Sequence, residues 1–394
     1  MELVLTLVLL LIMVASSSSQ MFFNVINYGA VGDGTTDDSH AFKRAWEAVC
    51  GATTINPTLY IPQGKAFLLY PISFRGPCNS YIHVMVLGNI VAPKDTWAWE
   101  GHDQEYWISF VRINGLYVHG NGQIDGQGYN WWQSCPSLER WSCKRPAALV
   151  FFECINLQLS GLRHINSQRS HISITKCKNV ILSHLHINAP ETSPNTDGID
   201  IAYSTNVKIL HSYIGTGDDC IAVDAGNSNI NITGITCGPG HGISIGSLGV
   251  GKHRVKVEKV HVKNCIFNRT LNGARIKTWP GGHGYARRIS FKKIKLYEVT
   301  NPIVIDQFYC PYKQCNTKGS AVRISHVSYS GFKGTSVNGK AINFSCSRKR
   351  SCTKIVLNHI RLTSADASYN TYSYCRNTHG IYQDSIPKVD CLLH

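Results

Sequence analysis

The chain has 394 residues and is 43% hydrophobic, with 39 Lys and Arg against 24 Asp and Glu for a formal net charge of +15. That length suits one large solenoid or two ordinary domains, and no Pro/Ser-rich linker or charged low-complexity stretch divides it, so one elongated domain over 21–394 is expected. The basic balance points to a polyanionic partner; without a nucleic-acid-binding motif, nucleic acid is set aside in favour of an acidic polysaccharide.

Leu3 to Ala15 is apolar apart from Thr6 and leads into Ser16 to Ser19 and Gln20. It is shorter than the roughly 20 residues of a bilayer span, and it reads as the core of a signal peptide over 1–20, although Glu2 stands where a Lys or Arg is usual. No later stretch is long and apolar enough to span a bilayer, so a secreted protein is expected. The 15 cysteines, none in the leader, agree with an oxidising compartment. Zinc sites would want paired C-x-x-C spacing, which is absent. Nearby partners suggest bridges Cys135–Cys143, Cys220–Cys237, Cys310–Cys315, Cys346–Cys352 and Cys375–Cys391, and the odd count leaves at least one thiol unpaired. Asn231, Asn268 and Asn343 are N-glycosylation sequons.

Phe23 to Asp38, FNVINYGAVGDGTTDD, reads as a strand, a Gly-rich turn and a helix start. Asp37 and Asp38 are placed to cap a helix in which Ala41, Ala45, Trp46 and Val49 share a face. Such a helix would cover the open end of a solenoid. The acidic run lacks the twelfth-position Glu of an EF-hand and reads as a turn plus cap. From Thr58 onward, short alternating apolar runs are separated by Gly, Asn and Ser corners. Asn156, Asn179, Asn206 and Asn229 each open such a run, at spacings of 23, 27 and 23 residues. Repeats of this length predict an all-β fold, a parallel β-helix of about ten coils with an N-terminal capping helix. Trp97 to Trp107 and Trp131 to Trp141 break the pattern as aromatic loops; stacking on sugars is open to them, but packing is the commoner role.

Three polar clusters lie where the coils are most regular: Asn195-Thr196-Asp197, Gly217-Asp218-Asp219 and Gly240-His241-Gly242. Asp197 to Asp219 is 22 residues and Asp219 to His241 is 22 again, and each residue precedes an alternating apolar run. One coil per repeat stacks the three in a column at roughly 4.8 Å per rung. Polar corners are often only turns, but stacked like charges repel and are avoided on a structural face. Three neighbouring carboxyl groups are not all ionised cheaply, so one of them is expected to hold a proton, with His241 one rung beyond to tune it. Such a set supplies the acid and base that glycosidic hydrolysis needs. Further on, Arg275 and Lys277 alternate with Ile276, which places both cations on one side of a strand, suited to a carboxylate or simply to solvent.

NTD, GDD, GHG and RIK in this order resemble the polygalacturonases of glycoside hydrolase family twenty-eight, and SPNTDGI and GPGHGISIGSLG are similar to its plant branch. The resemblance runs from about Phe23 to Cys391. It implies a right-handed parallel β-helix, likewise monomeric, that hydrolyses α-1,4 galacturonan (homogalacturonan) with inversion and with neither metal nor cofactor. It further implies Asp218 as general acid, Asp197 and Asp219 as the residues holding water, and His241 as support for the acid. Arg275 and Lys277 would bind galacturonate, with Asn195 and Tyr309 (in Asp306-Gln-Phe-Tyr-Cys) joining the substrate-binding set. Inversion sits awkwardly with rung spacing, which falls below the roughly 6.5–9.5 Å that separates carboxyls in inverting enzymes. Two rivals share the scaffold. A pectate or pectin lyase would use the acids as a calcium site, and a wall-binding protein would not need them at all.

Overall fold

The computed structural model describes residues 21–392, apart from 103, 135–143, 253, 312–314 and 316–320. The leader over 1–20 and the Cys135–Cys143 pair lie outside the described residues.

Alternating apolar residues give two long parallel sheets wound as a β-helix, one of 21 strands and one of 11. Parallel crossover connections of this kind take the right-handed sense. Each coil places one strand in the 11-stranded sheet, from Ile72–Arg75 to Tyr372–Arg376, so there are eleven rungs where the spacing suggested about ten. Phe151, Ile174, Ile201, Val223, Ile245, Ile276, Ile305 and Phe344 are register partners in succession along this sheet. All eight are fully buried. Each such side chain contributes roughly 1.5–3 kcal/mol by leaving water. Because successive residues point to opposite faces, the same strands turn Asp200, Ser244 and Arg275 outward.

The predicted asparagine corners coincide. Asn229, Asn206, Asn179 and Asn156 donate in turn from Nδ2 to the Oδ1 of the Asn one rung back, ending on Asn114, at 2.7–3.0 Å. Their φ values run from 55° to 58°, a left-handed conformation that Asn tolerates better than most residues. Each of these asparagines stands second in its strand, and its amide braces the strand to the coil before it.

The helix Ser39–Gly51 buries Ala41, Phe42, Ala45, Trp46 and Val49. Its aromatic face packs on Phe67, Phe74 and Phe110 at the start of the solenoid. Asp37 caps it by accepting from the Ser39 amide at 2.9 Å. Asp38 does not: its carboxylate accepts from the amides of Val31 and Gly32 at 2.7 and 3.1 Å, tying down the preceding turn. Trp99 and Trp107 are fully buried and Trp99 packs edge-on against Trp131, so the first aromatic stretch serves packing, with Trp97 exposed; from 135 onward the second stretch lies outside the described residues.

Bridges Cys220–Cys237, Cys310–Cys315, Cys346–Cys352 and Cys375–Cys391 form as expected. Cys50–Cys78 was not foreseen; it joins the end of the helix to residues 28 positions away. Closing a loop of that length stabilises the fold by roughly 3–4 kcal/mol. Cys154, Cys177 and Cys265 are buried free thiols.

Candidate active site

Ile199, Ile221 and Ile243 are register partners, and Asp197, Asp219 and His241 each lie two residues earlier. The column continues into the loops: Gly198 N–H donates to Asp219 O at 2.9 Å, and Cys220 N–H to Gly242 O at 2.8 Å. Two devices hold the corners. A Cβ on Gly217 would lie 1.9 Å from the Ser193 carbonyl, so only glycine fits there. The buried Thr196 hydroxyl accepts from Gly217 N–H at 3.0 Å and donates to Ser193 O at 3.0 Å, stitching two rungs together. The Cys220–Cys237 bridge anchors the residue next to Asp219.

Asp218 sits off the column by one residue and is enclosed by donors. Its Oδ1 accepts from Asp219 N–H at 2.8 Å and meets His241 Nδ1 at 2.8 Å. Its Oδ2 accepts from Asn195 Nδ2 at 3.2 Å, and Asn195 Oδ1 in turn accepts from Arg145 at 2.7 Å. Asn195 is thus a relay between a buried arginine and Asp218, not only a turn residue. Asp219 is fully buried and meets two cations: Arg275 Nη2 at 2.6 Å on Oδ1 and Lys277 Nζ at 2.7 Å on Oδ2. Ser244 completes the group, donating to Asp219 at 2.9 Å and accepting from Arg275 Nε at 2.9 Å. Tyr309 lies beside it, its ring centroid 5.1 Å from Lys277 Nζ, and packs edge-on against Trp279.

The charges settle differently from expectation. Burial pushes the Asp197 carboxyl well above its usual range, and the charges of Asp218, Asp200 and Asp219 add to the rise. Burial also pushes Asp218 upward, but the hydrogen bond and charge of His241, with Lys277 and Arg275 behind it, outweigh that and hold it below the usual carboxylate range. The favoured seat for a proton is therefore Asp197, not Asp218, because His241, Lys277 and Arg275 together act on Asp218, while at Asp197 Lys277 is outweighed by burial and three like charges. Burial would depress Arg275 and Lys277, but Asp219 together with Asp218 and Tyr309 outweighs it and both are raised.

The structure brings together Asp197, Asp218, Asp219, His241, Asn195, Arg275, Lys277 and Tyr309. It adds Ser244, Arg145 and Asp200, which sequence reasoning missed. Ser244 had a signal, since it follows His241 by three residues in an alternating strand; Arg145, a coil and more away in sequence, had none. Donor atoms of Asp218, Asp219 and His241 lie within 4.8 Å of one another, close enough to meet on a metal ion. Arg275 and Lys277 already occupy both Asp219 oxygens, so this donor set fits a divalent cation poorly.

A column of carboxyl groups edged by fixed cations is equipped to donate one proton and accept another beside an anionic sugar. The comparisons agree. A probable polygalacturonase of Arabidopsis thaliana is 48% identical over 381 residues, covering 95% of this chain and 81% of the relative. A polygalacturonase of Persea americana is 42% identical over 366 residues, covering 92% and 78%. The solved endo-xylogalacturonan hydrolase of Aspergillus tubingensis matches with a TM-score of 0.76 at 25% identity, covering 91% of this chain and 98% of that one. The model of glycosyl hydrolases family 28 matches residues 50–386, and the chain belongs to that family.

Proposed function

We propose that this polygalacturonan hydrolase cleaves α-1,4-galacturonosidic linkages in one inverting step. Asp218 protonates the leaving oxygen, while Asp197 and Asp219 hold the attacking water and take its proton. His241 orients the Asp218 carboxyl from 2.8 Å. Arg275 and Lys277 hold the galacturonate carboxylate, and Tyr309 and Asn195 border the ring. The observation that carries this reading is the single outward column of Asp197, Asp219 and His241 with Asp218 set beside it. The spacing by itself does not give inversion, which is taken from the family: carboxylate oxygens of Asp218 and Asp219 lie within 4.8 Å of one another, below the inverting range. Asp197 and Asp219 share the water side, and the separation rule concerns the distance from that side to the acid.

Five disulfides among the described residues support an oxidising, extracellular setting at an acidic wall polysaccharide. No helix among the described residues is long and apolar enough to cross a membrane. Continuous sheets support one catalytic domain over 21–394, and a site built from one chain supports a monomer. Exposed Asn268 is the sequon best placed for glycosylation.

The test is digestion of polygalacturonate with and without chelator, following reducing ends, ultraviolet absorbance and the anomer first released. Saturated products of inverted configuration at an unchanged rate are expected. Unsaturated ends, or activity lost with chelator, would overturn the proposal.

A further inference from the structure

The strand that carries Lys277 ends at Thr278, and after a short turn the chain enters the other sheet at His283. There the register gathers a second basic group. Arg254 pairs with His283, Tyr285 with Arg323 and Arg287 with Ser325, while Arg350 reaches the same place from a later loop. They surround an open recess of about 370 Å³ to which no Asp or Glu contributes. Arg287 is held in place: its guanidinium lies 4.3 Å over the Tyr285 ring and 2.7 Å from Glu258 at the margin. Arg254, Arg323 and Arg350 are exposed.

Nothing in the fold calls for this grouping. These side chains point away from the core, so any polar residue would satisfy the strand, and facing guanidinium groups toward one recess costs mutual repulsion. An anion with several carboxylates removes that repulsion, and the planar forks of Arg254, Arg323 and Arg350 suit carboxylates better than point charges would. The short turn from Lys277 to His283 leads from the catalytic face toward this recess.

We propose that the recess is an accessory site for the acidic polysaccharide, capturing a stretch of uronate units away from the catalytic carboxyls. It rests on the substrate class assigned above. Its contribution falls on long chains, which can lie on the recess and the catalytic carboxyls together.

The test compares wild type with Arg323→Gln/Arg350→Gln on polygalacturonate and on trigalacturonate. The expected result is a KM for polymer raised about five- to tenfold, as for the loss of two exposed ion pairs, with trimer turnover unchanged. Arg323→Lys/Arg350→Lys, which keeps the charges, should recover part of the loss. In an Asp218→Asn background, labelled polygalacturonate should bind more weakly once both arginines are replaced, and this arm reads the recess without any cleavage. Equal polymer KM in all forms overturns the proposal. Displacement by dextran sulfate as readily as by polygalacturonate also overturns it, showing a general polyanion surface. Wild type that releases no reducing ends while the binding difference persists would sink the proposed hydrolysis and leave the recess standing.

Discussion

Lys277→Met removes one of two cations from a fully buried carboxylate while keeping the apolar stem. Lys277 Nζ stands 2.7 Å from Asp219 Oδ2, and the lysine side chain is only 8% exposed. At that distance and an effective dielectric constant of 20, the attraction is roughly 6 kcal/mol before the cost of drying the ammonium. Desolvation cancels much of this, and Arg275 remains at 2.6 Å on the other oxygen. The expected loss of stability is therefore about 2–3 kcal/mol, below the roughly 3–5 kcal/mol for a buried charge left with no partner. The resemblance implies only a sugar-binding role for Lys277; the ion triad gives it a structural one as well. Urea unfolding measures the cost, and initial rates on polygalacturonate measure the catalytic loss in the same preparation. Asp219→Asn in the same background removes the orphaned charge, so the double variant should regain more than about 1 kcal/mol over additivity. An unchanged urea midpoint for Lys277→Met, or strictly additive costs, would refute the triad.

Asp218→Asn should lower turnover by roughly 10²–10⁴-fold and leave polymer affinity in place, since an amide hydrogen-bonds but donates no catalytic proton; near-normal turnover would reassign the acid. Ser244→Ala removes a buried hydrogen bond shared by Asp219 and Arg275 and should reduce kcat/KM by about 10–100-fold, the weight of a bond to a charged group. Asp197→Asn should abolish hydrolysis yet stabilise the fold at neutral pH. A carboxyl raised by burial stabilises the folded state below its unfolded value, and that stability is lost as pH rises through the raised one. The urea-midpoint gap should thus open as pH rises above the unfolded value of about 3.9, with the variant the more stable; a constant gap would count against burial of the charge. The rate–pH profile should be a bell on the acidic side of neutrality, and an alkaline optimum would exclude a protonated cluster as the active form.

The catalytic column was legible because stacking in a β-helix follows from counting. Equal intervals between Asp197, Asp219 and His241, followed by alternating strands, leave little freedom in where those residues go. The asparagine corners were legible for the same reason, since each must repeat to brace the coil before it. Cys50–Cys78 was not, because it depends on where a terminal helix docks, and sequence spacing does not encode that. Asp38 drew the wrong partner because a carboxylate beside both a helix start and a Gly-rich turn has two sets of free amides to satisfy. The proton was misplaced for a subtler reason. Crowding says that one carboxyl of three is protonated, but only the reach of His241, Arg275 and Lys277 decides which.

That distribution bears on how the cluster works. Asp218 must carry a proton to act as acid, while the water side must be ionised, yet the cations hold Asp218 down and burial holds Asp197 up. A coupled group of carboxyls titrates as a unit, so the form that matters is the cluster with one proton, wherever that proton rests. Arg275 and Lys277 are among the causes that depress Asp218, and they are the same residues assigned to the substrate carboxylate. A bound carboxylate offsets their positive charge and thereby eases the proton from Asp197 toward Asp218. On the proposed assignment, binding an acidic sugar would arm the acid, which a neutral sugar lacks the charge to do. Because an acid loses activity as pH rises through its pKa, the alkaline limb of kcat, which reports the bound enzyme, should lie above that of kcat/KM, which reports the free enzyme. Limbs that coincide, or that move in the opposite direction, would show that the cations tune Asp218 independently of the substrate.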